Sequence, residues 1–519
     1  MGVFDGMEPS RVLSFFEEIC AIPHGSGNVG QISNYLVNFA KQRGLRYRQD
    51  KMGNVIIWKD ATLGHETAAS VILQGHMDMV AVKVDGCEKN METDGLDLAV
   101  DGDRIYAEGT SLGGDDGIAV AYALALLDDD SLVHPPIEAV FTVDEEIGML
   151  GASGLDVSDL KGRMLLNIDS EEEGVFTVSC AGGATAVCEL QGQPRPMKAA
   201  AIVCKVSGLT GGHSGAEIHK GRANANMVMA RLLLGLSGED IHLISVSGGE
   251  KDNAIPTSAG AVIAVESEFY SVPNLGKKAD DAAETADGAA NEADEAAKTV
   301  CRTEKASVRS VIAAIKRTFE EIKSEYQQTD PNMQLSIMVE EPRMRMVFNA
   351  KSTWKMIAWL NNVPNGICRM NPQMAGMVQT SLNLGIVRTK RDLVTLTFAV
   401  RSASGTEKKY LLDKLSALTE AMGGLVTVSG EYPGWEYRAD SKLRDTMVEA
   451  YRTQYGAEPK VEGIHAGLEC GIFASKLDGL DAVSFGPQMQ NIHTVKEELS
   501  VSSVERTWRL LVAVLEKLA

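Results

Sequence analysis

At about 150 residues per domain, a chain of 519 residues has room for roughly three globular units, and its 44% hydrophobic and 23% charged residues exclude collagen-like, wholly disordered and small disulfide-scaffold classes. Lys and Arg number 50 against 71 Asp and Glu, and a net charge of −21 repels phosphate backbones and anionic lipid alike, so neither nucleic acid nor a membrane is an expected partner. Carboxylates are also the natural ligands and bases of metal-hydrolase sites, and only their positions separate that use from solubility.

The first 21 residues are amphipathic and carry Glu17 and Glu18 where a secretion signal needs an apolar core, so the protein is expected to be cytoplasmic. Val12, Leu13, Phe16, Ile19 and Cys20 have helical spacing over Ser10 to Ala21, which ends before Pro23. Gly25-Ser26-Gly27-Asn28 then leads into a second helix, Val29 to Arg43. Short apolar runs at Val55 to Trp58, Ser70 to Leu73, Ala139 to Val143 and Met164 to Ile168 read as strands. The longest apolar run, Ile118 to Leu127, falls well short of the roughly 18 residues a membrane span needs and reads as a buried helix. Strands alternating with helices predict an α/β fold with a mixed, mostly parallel sheet covered by helices. The eight Cys show no Cys-x-x-Cys pair and are expected to be reduced.

Beyond about residue 185 the pattern becomes α+β, with runs at Ala201 to Val206, Ala223 to Leu236 and Ala261 to Val265. A related order returns at Gln334 to Arg345, Ser352 to Asn361, Gly376 to Val387 and Val394 to Arg401. Residues 188–404 therefore read as an inserted lid or dimerisation domain built from two similar halves. It interrupts a catalytic domain formed by 1–187 and 405–519, in which a strand at Leu480 to Phe485 and a last helix, Val504 to Leu518, are expected. An acidic low-complexity insertion occupies about 274–305; residues 279–298 alone hold nine Ala and seven Asp or Glu, the composition of a solvated segment.

Four elements of the first part end in metal-binding chemistry. The strand through Leu73 runs into Gly75-His76-Met77-Asp78, where period 2 puts His76 and Asp78 on one side. Gly113-Gly114-Asp115-Asp116-Gly117 precedes the buried helix, and a capping role would need only one Asp. Asp144-Glu145-Glu146 follows a buried strand, where like charges call for something positive. Asp169 ends the fourth run. Strand ends of an α/β sheet are where ligands bind, and histidine with oxygen ligands and no thiolate suits zinc, manganese or cobalt.

In this order the strings resemble the co-catalytic zinc peptidase and aminoacylase superfamily, and within it the dipeptidases that cleave aminoacyl-histidine. Gly211-Gly212-His213-Ser214-Gly215, Ile218 to Asn226, Thr380 to Gly385 and His465-Ala466-Gly467-Leu468-Glu469-Cys470-Gly471 extend the likeness from near residue 10 to near 510. The resemblance implies two zinc ions per subunit, with cobalt or manganese as substitutes. His76 and Asp169 would hold one, Glu146 and a late His the other, and Asp115 would bridge them. It also implies a cis peptide after Asp115, Asp78 orienting His76, and Glu145 as general base toward the metal-bound water. Gly486-Pro487 through His493-Thr494-Val495-Lys496-Glu497 matches the late-loop form, so His493 is preferred to His465, which is assigned to the substrate side. His213 would reach over a neighbouring subunit's site as an oxyanion donor. Asn253 matches a substrate-binding loop, and Arg401 would clamp the terminal carboxylate. The implied activity is hydrolysis of unblocked dipeptides, including Xaa-His such as β-alanyl-histidine, by a homodimer joined through the inserted domain. Amino-acylase or small carboxypeptidase activity is the alternative within the superfamily. A serine hydrolase is another rival, since Gly109-Thr110-Ser111-Leu112-Gly113 fits a nucleophile elbow, and a binding protein that kept the fold without turnover is a third.

Overall fold

A computed structural model describes residues 2–266 and 307–519; the acidic insertion expected at 274–305 lies outside the described residues. Two sheets carry the chain. The first has eight strands in the order Arg46–Gln49, Val55–Lys59, Ile137–Thr142, Val71–His76, Met164–Asn167, Asp481–Ser484, Val175–Cys180 and Lys460–Ile464. Its four central neighbours, Ile137–Thr142, Val71–His76, Met164–Asn167 and Asp481–Ser484, are mutually parallel, and the other strands include antiparallel pairings. Parallel strands covered on both faces must be apolar throughout, and Val71–His76 and Ile137–Thr142 are buried at every residue. The helix Gly114–Asp128 packs on Val71–His76 and against the helix Ser10–Cys20. All of its residues from Gly114 to Leu127 are buried, as its uninterrupted apolar run requires. Among the described residues, no helix is long and apolar enough to cross a membrane.

The second sheet is antiparallel, in the order Gln334–Phe348, Pro194–Ser207, Ala259–Glu266, His242–Gly248, Val378–Lys390, Leu393–Ser402, Gly182–Gln191 and Leu425–Tyr432. Its middle is a narrow seam, where a single register pair, Gly248 with Val387, joins a group of four strands to a group of five, the fifth being Gly366–Met370 paired with Val378–Lys390. The groups do not follow chain order. Gln334–Phe348, expected in the later half, pairs with Pro194–Ser207 along nearly its whole length. The sheet also extends beyond 188–404 at both ends: Leu425–Tyr432 pairs with Gly182–Gln191, and the helix Gly405–Ala421 packs on both. Apolar faces decide this, since Leu411, Leu412 and Leu415 join the same core as Ala186, Cys188 and Leu190.

Within this inserted unit, the Asn-rich strings hold the seam. Asn383 Nδ2 donates to the carbonyls of Asp252 (2.8 Å) and Ala254 (2.9 Å), and Asn224 Nδ2 donates to Asn383 Oδ1 at 3.0 Å. Asp330, 1% exposed, accepts from the backbone of Thr210 and Ala223, both at 2.8 Å, and so pins the two ends of the loop that carries His213. Replacing Asp330 with Ala leaves those donors without a partner. The expected cost is about 1–3 kcal/mol per buried unpaired group, and urea unfolding of Asp330→Ala beside the wild type measures it.

Candidate active site

The topology brings four chain segments to one edge. His76 ends its strand, Asp144-Glu145-Glu146 and Asp169 follow the strands on either side, and the loop after Asp481–Ser484 leads to His493. Asp115 joins them from the head of the buried helix, where the backbone of Asp115 (φ −85°, ψ 106°) and Asp116 (φ −116°, ψ 30°) is not helical. The Asp115–Asp116 peptide is cis, as the resemblance implies.

Asp115 offers one oxygen to each of two imidazoles. Its Oδ1 lies 3.1 Å from His76 Nε2, and its Oδ2 lies 3.0 Å from His493 Nε2. His76 Nε2 is also 3.8 Å from Asp169 Oδ1. His493 Nε2 is 2.8 Å from Glu146 Oε1, yet that buried oxygen has no hydrogen bond of good geometry. Ligand atoms of His76, Asp115 and Glu146 lie within 4.8 Å of one another, as do those of His76, Asp116 and Asp169.

Electrostatics mark the same spot. Burial opposes the charge of Asp115, but hydrogen bonds to His493 and His76 outweigh it and hold the carboxyl well below its usual range. A hydrogen bond to Asp115 and the adjacent Glu146 carboxylate push His493 up to about 10. Burial, with Asp115 and Glu145 nearby, drives Asp169 well up, and burial beside Asp169 does the same to Asp116. Burial also raises Glu145 to about 7. The edge holds more negative charge than its two imidazoles offset.

Asp78 organises the turn. Its carboxylate accepts from Ser26 Oγ (2.8 Å) and from the backbone of Glu145 (3.0 Å) and Glu146 (3.4 Å). His76 Nδ1 is nearer the Asp78 carbonyl, at 2.9 Å, than its carboxylate, at 3.6 Å, so the main chain provides the closer hold on the ring. Asp144, left-handed at φ 54°, accepts from the backbone of Gly27 at 2.6 Å, which ties in the early Gly-Ser-Gly loop.

Ser111 has no such company. It is fully buried, donates to the Val80 carbonyl at 2.7 Å and accepts from the Val82 backbone at 3.1 Å. A nucleophile needs an exposed hydroxyl next to a base, so the nucleophile-elbow reading is corrected: this serine is a structural tie.

Of the remaining sequence-derived residues, His213, Asn253 and Arg401 lie on the inserted unit, and His465 follows the edge strand Lys460–Ile464 of the first sheet. His213 pairs with Ala254 in a two-residue strand, and the Asn253 carbonyl accepts from the Ser214 backbone at 2.9 Å. Asn253 itself is exposed and lines, with His213, a cavity of about 790 Å³. His213 Nε2 lies 3.5 Å from an Arg401 guanidinium nitrogen of the same chain. Another Arg401 nitrogen donates to Tyr432 Oη at 3.1 Å, and Arg401 Nε is buried without a partner. His465 Nε2 lies 2.7 Å from Ser381 Oγ, and Ser381 pairs with Arg401 across the sheet.

Residues 72–517 match the pattern of peptidase family M20/M25/M40. The chain belongs to that family. A cytosol non-specific dipeptidase of Escherichia coli is 34% identical over 522 residues, covering 100% of this chain and 99% of that one. The crystal structure of an aminoacylhistidine dipeptidase from Vibrio alginolyticus superposes with a TM-score of 0.87 at 33% identity, covering 99% of this chain and 98% of that one. The aminopeptidase PepT of Bacillus cereus, at 15% identity and a TM-score of 0.52 over 99% of each chain, shares the fold. The chain is thus an M20-family metallopeptidase.

Three buried carboxylates and one phenol escaped the sequence reading. Asp116 accepts from the His76 backbone at 3.2 Å; the Asp-Asp pair was visible, but only the turn shows which one faces both imidazoles. Glu469 and Glu497 sit inside quoted strings without an assigned role, and Tyr432 gave no signal at all. For His465, burial and the Arg401 charge push the pKa down to about 3. An unfolded His titrates near about 6.5, so below that pH the unfolded chain takes a proton that the folded chain refuses, and stability falls as pH drops toward 3. His465→Gln should lose less stability than wild type between pH 7 and pH 4 in urea titrations; equal losses would show that His465 is not the refusing group.

Proposed function

We propose that this chain is a dinuclear metal-dependent dipeptidase that hydrolyses unblocked dipeptides, including those of the Xaa-His type. The carrying observation is Asp115, with one carboxylate oxygen on each of two imidazoles and a further carboxylate beside each ring. His76, Asp115 and Asp169 would hold one ion, and His493, Glu146 and Asp115 the other. The fit rests on the donor set, on the surplus negative charge, and on a Glu146 oxygen that is close to His493 without a proper hydrogen bond. Nitrogen and oxygen donors without thiolate favour zinc, with cobalt or manganese as substitutes. When bound, the ions would polarise the scissile carbonyl and acidify water.

The chain's own groups do the rest. Glu145, raised to about 7 by burial, is matched to accept a proton from the attacking water and to return it to the leaving amine near neutral pH. Asp78 fixes the Glu145 backbone and, through its carbonyl, the His76 ring. Arg401 has guanidinium N–H groups free to grip the substrate carboxylate, and His213 beside it donates to the developing oxyanion. Asn253 and His465 complete the substrate side. His213 lies next to Arg401 of its own chain. A homodimer through the inserted unit is supported by its edge strand Gln334–Phe348, which exposes Met338, Met344 and Met346. The dipeptide substrate class and a cytoplasmic setting are supported by the Escherichia coli and Vibrio relatives.

Dialysis against a chelator should abolish dipeptide hydrolysis, zinc should restore it, and a serine-reactive organophosphate should do nothing. Glu145→Gln should lose roughly 10²- to 10⁴-fold in kcat while keeping its metal content; unchanged kcat would remove Glu145 from the reaction. Arg401→Met should raise KM for a free dipeptide and leave its C-terminal amide at the wild-type level. An equal loss on both substrates would reject the carboxylate clamp.

A further inference from the structure

Resting on the dinuclear reading above, we propose that Glu497 is the positioning residue for the second metal ion, the one assigned to His493. The His493 loop holds itself poorly. Asn491 (φ 54°) and His493 (φ 62°) are both left-handed without being glycine, a conformation that these two residue types adopt more readily than most but that regular secondary structure does not hold in place. The His493 side chain is 43% exposed, so packing does not fix it. The loop's stems are short: Met489–Gln490 pairs with Glu498–Ser500, which pairs in turn with Arg104–Ala107.

Glu497 provides what the loop lacks. It lies four residues after His493, is 3% exposed, and points into the turn that carries Asp115. Its Oε2 accepts from the backbone of Leu112 (2.9 Å) and Gly113 (3.1 Å), and its Oε1 from that of Gly114 (2.8 Å) and Asp115 (3.3 Å). Four consecutive N–H groups converging on one carboxylate form an anion nest, here filled from within the chain. The glycines are shaped around it. Gly113 is left-handed at φ 69°, and a Cβ at Gly114 would come within 3.3 Å of Glu497 Oε1 and 3.2 Å of Met489 Sδ. One side chain thus ties the His493 loop to the Asp115 turn, which sets the 3.0 Å approach of His493 Nε2 to Asp115 Oδ2. The fourth residue of the His-x-x-x-Glu string acts through the first.

Glu497→Gln is nearly isosteric, but its NH2 would face two backbone N–H groups. Metal-free wild type, Glu497→Gln, His493→Ala and the double variant would be titrated with zinc by calorimetry, with thermal melts confirming the fold. Wild type should take up two ions. Glu497→Gln should hold the second ion roughly 10- to 100-fold more weakly, the usual cost of losing a group that orients a ligand, and weaken the first, which shares only Asp115 with the disturbed turn, by clearly less. His493→Ala should lose the second ion, and the double variant should be no worse than His493→Ala. Should Glu497→Gln fail to fold, Glu497→Asp, which keeps the charge but reaches only part of the nest, should show the same selective weakening. Two equally tight ions in a folded Glu497 variant, or equal weakening of both, would overturn the inference alone. A wild type that takes up one ion would overturn the dinuclear reading and this inference with it.

Discussion

Six carboxylates, those of Asp78, Asp115, Asp116, Glu145, Glu146 and Asp169, meet two imidazoles where parallel strands stop, and this crowding governs the architecture around it. At about 4 Å and an effective dielectric near 20, each like-charge pair costs on the order of 4 kcal/mol. Nothing in an apolar sheet offsets such a cost unless cations are present or protons are retained. Burial drives the carboxyls of Asp116 and Asp169 well up, and Asp115 and Glu146 push the pKa of His493 up. Those responses mark where positive charge belongs. They also explain why the carboxylates are so heavily anchored through backbone donors, with Asp78 holding two N–H groups of the Glu145 turn and Glu497 holding four of the Asp115 turn.

A site of this kind needs a stiff frame, and the parallel core provides one. Strands Ile137–Thr142, Val71–His76 and Met164–Asn167 run side by side in continuous register, so their ends are fixed relative to one another by backbone hydrogen bonds. Polar residues one turn below the edge strengthen the lock. Gln74 Oε1 accepts from Asn167 Nδ2 at 2.7 Å, and Glu469 Oε2 accepts from Gln74 Nε2 and Thr142 Oγ1, both at 2.6 Å. Each of the three strands thereby contributes one side chain to a buried polar row beneath the carboxylates and imidazole at its end. Asn167 Oδ1 and Glu469 Oε1 are buried in this row without a partner, so the row costs stability as well as tying the three strands together.

Much of this was legible in the chain because parallel strands announce themselves twice, by an unbroken apolar run and by the charged residue that ends it. His76, Glu146 and Asp169 are found that way, and the buried helix marks Asp115. What periodicity does not carry is the conformation of the turns. Choosing Asp115 over Asp116 depends on a non-helical kink at the helix head, and Ser111 looks like a nucleophile until its burial is known. The borders of the inserted unit were also hidden. Gly182–Gln191 and Leu425–Tyr432 are ordinary amphipathic strands, and nothing local says that they pair with each other across more than 200 residues. His213 and Arg401 could be named from their strings, but their approach within one chain follows from the seam at Gly248 and Val387, a contact no local pattern encodes.

The segment from His465 to Glu469 shows how the two units are kept in step. At one end His465 contacts Ser381, whose strand partner is Arg401 on the substrate side. At the other, Glu469 opens the helix Glu469–Lys476 and holds the row beneath the ligands. Three residues separate the two contacts, and the intervening main chain is tied down as well, since Ala181 N donates to the Ala466 carbonyl at 2.9 Å. A link so short has little freedom to absorb relative motion. Any displacement of the Arg401 strand toward or away from the carboxylate-rich edge must therefore bend this segment or break the His465–Ser381 contact. His465 suits that position because burial and the neighbouring Arg401 charge lower its pKa to about 3 and keep the ring neutral near pH 7, so no second positive charge is buried beside the guanidinium.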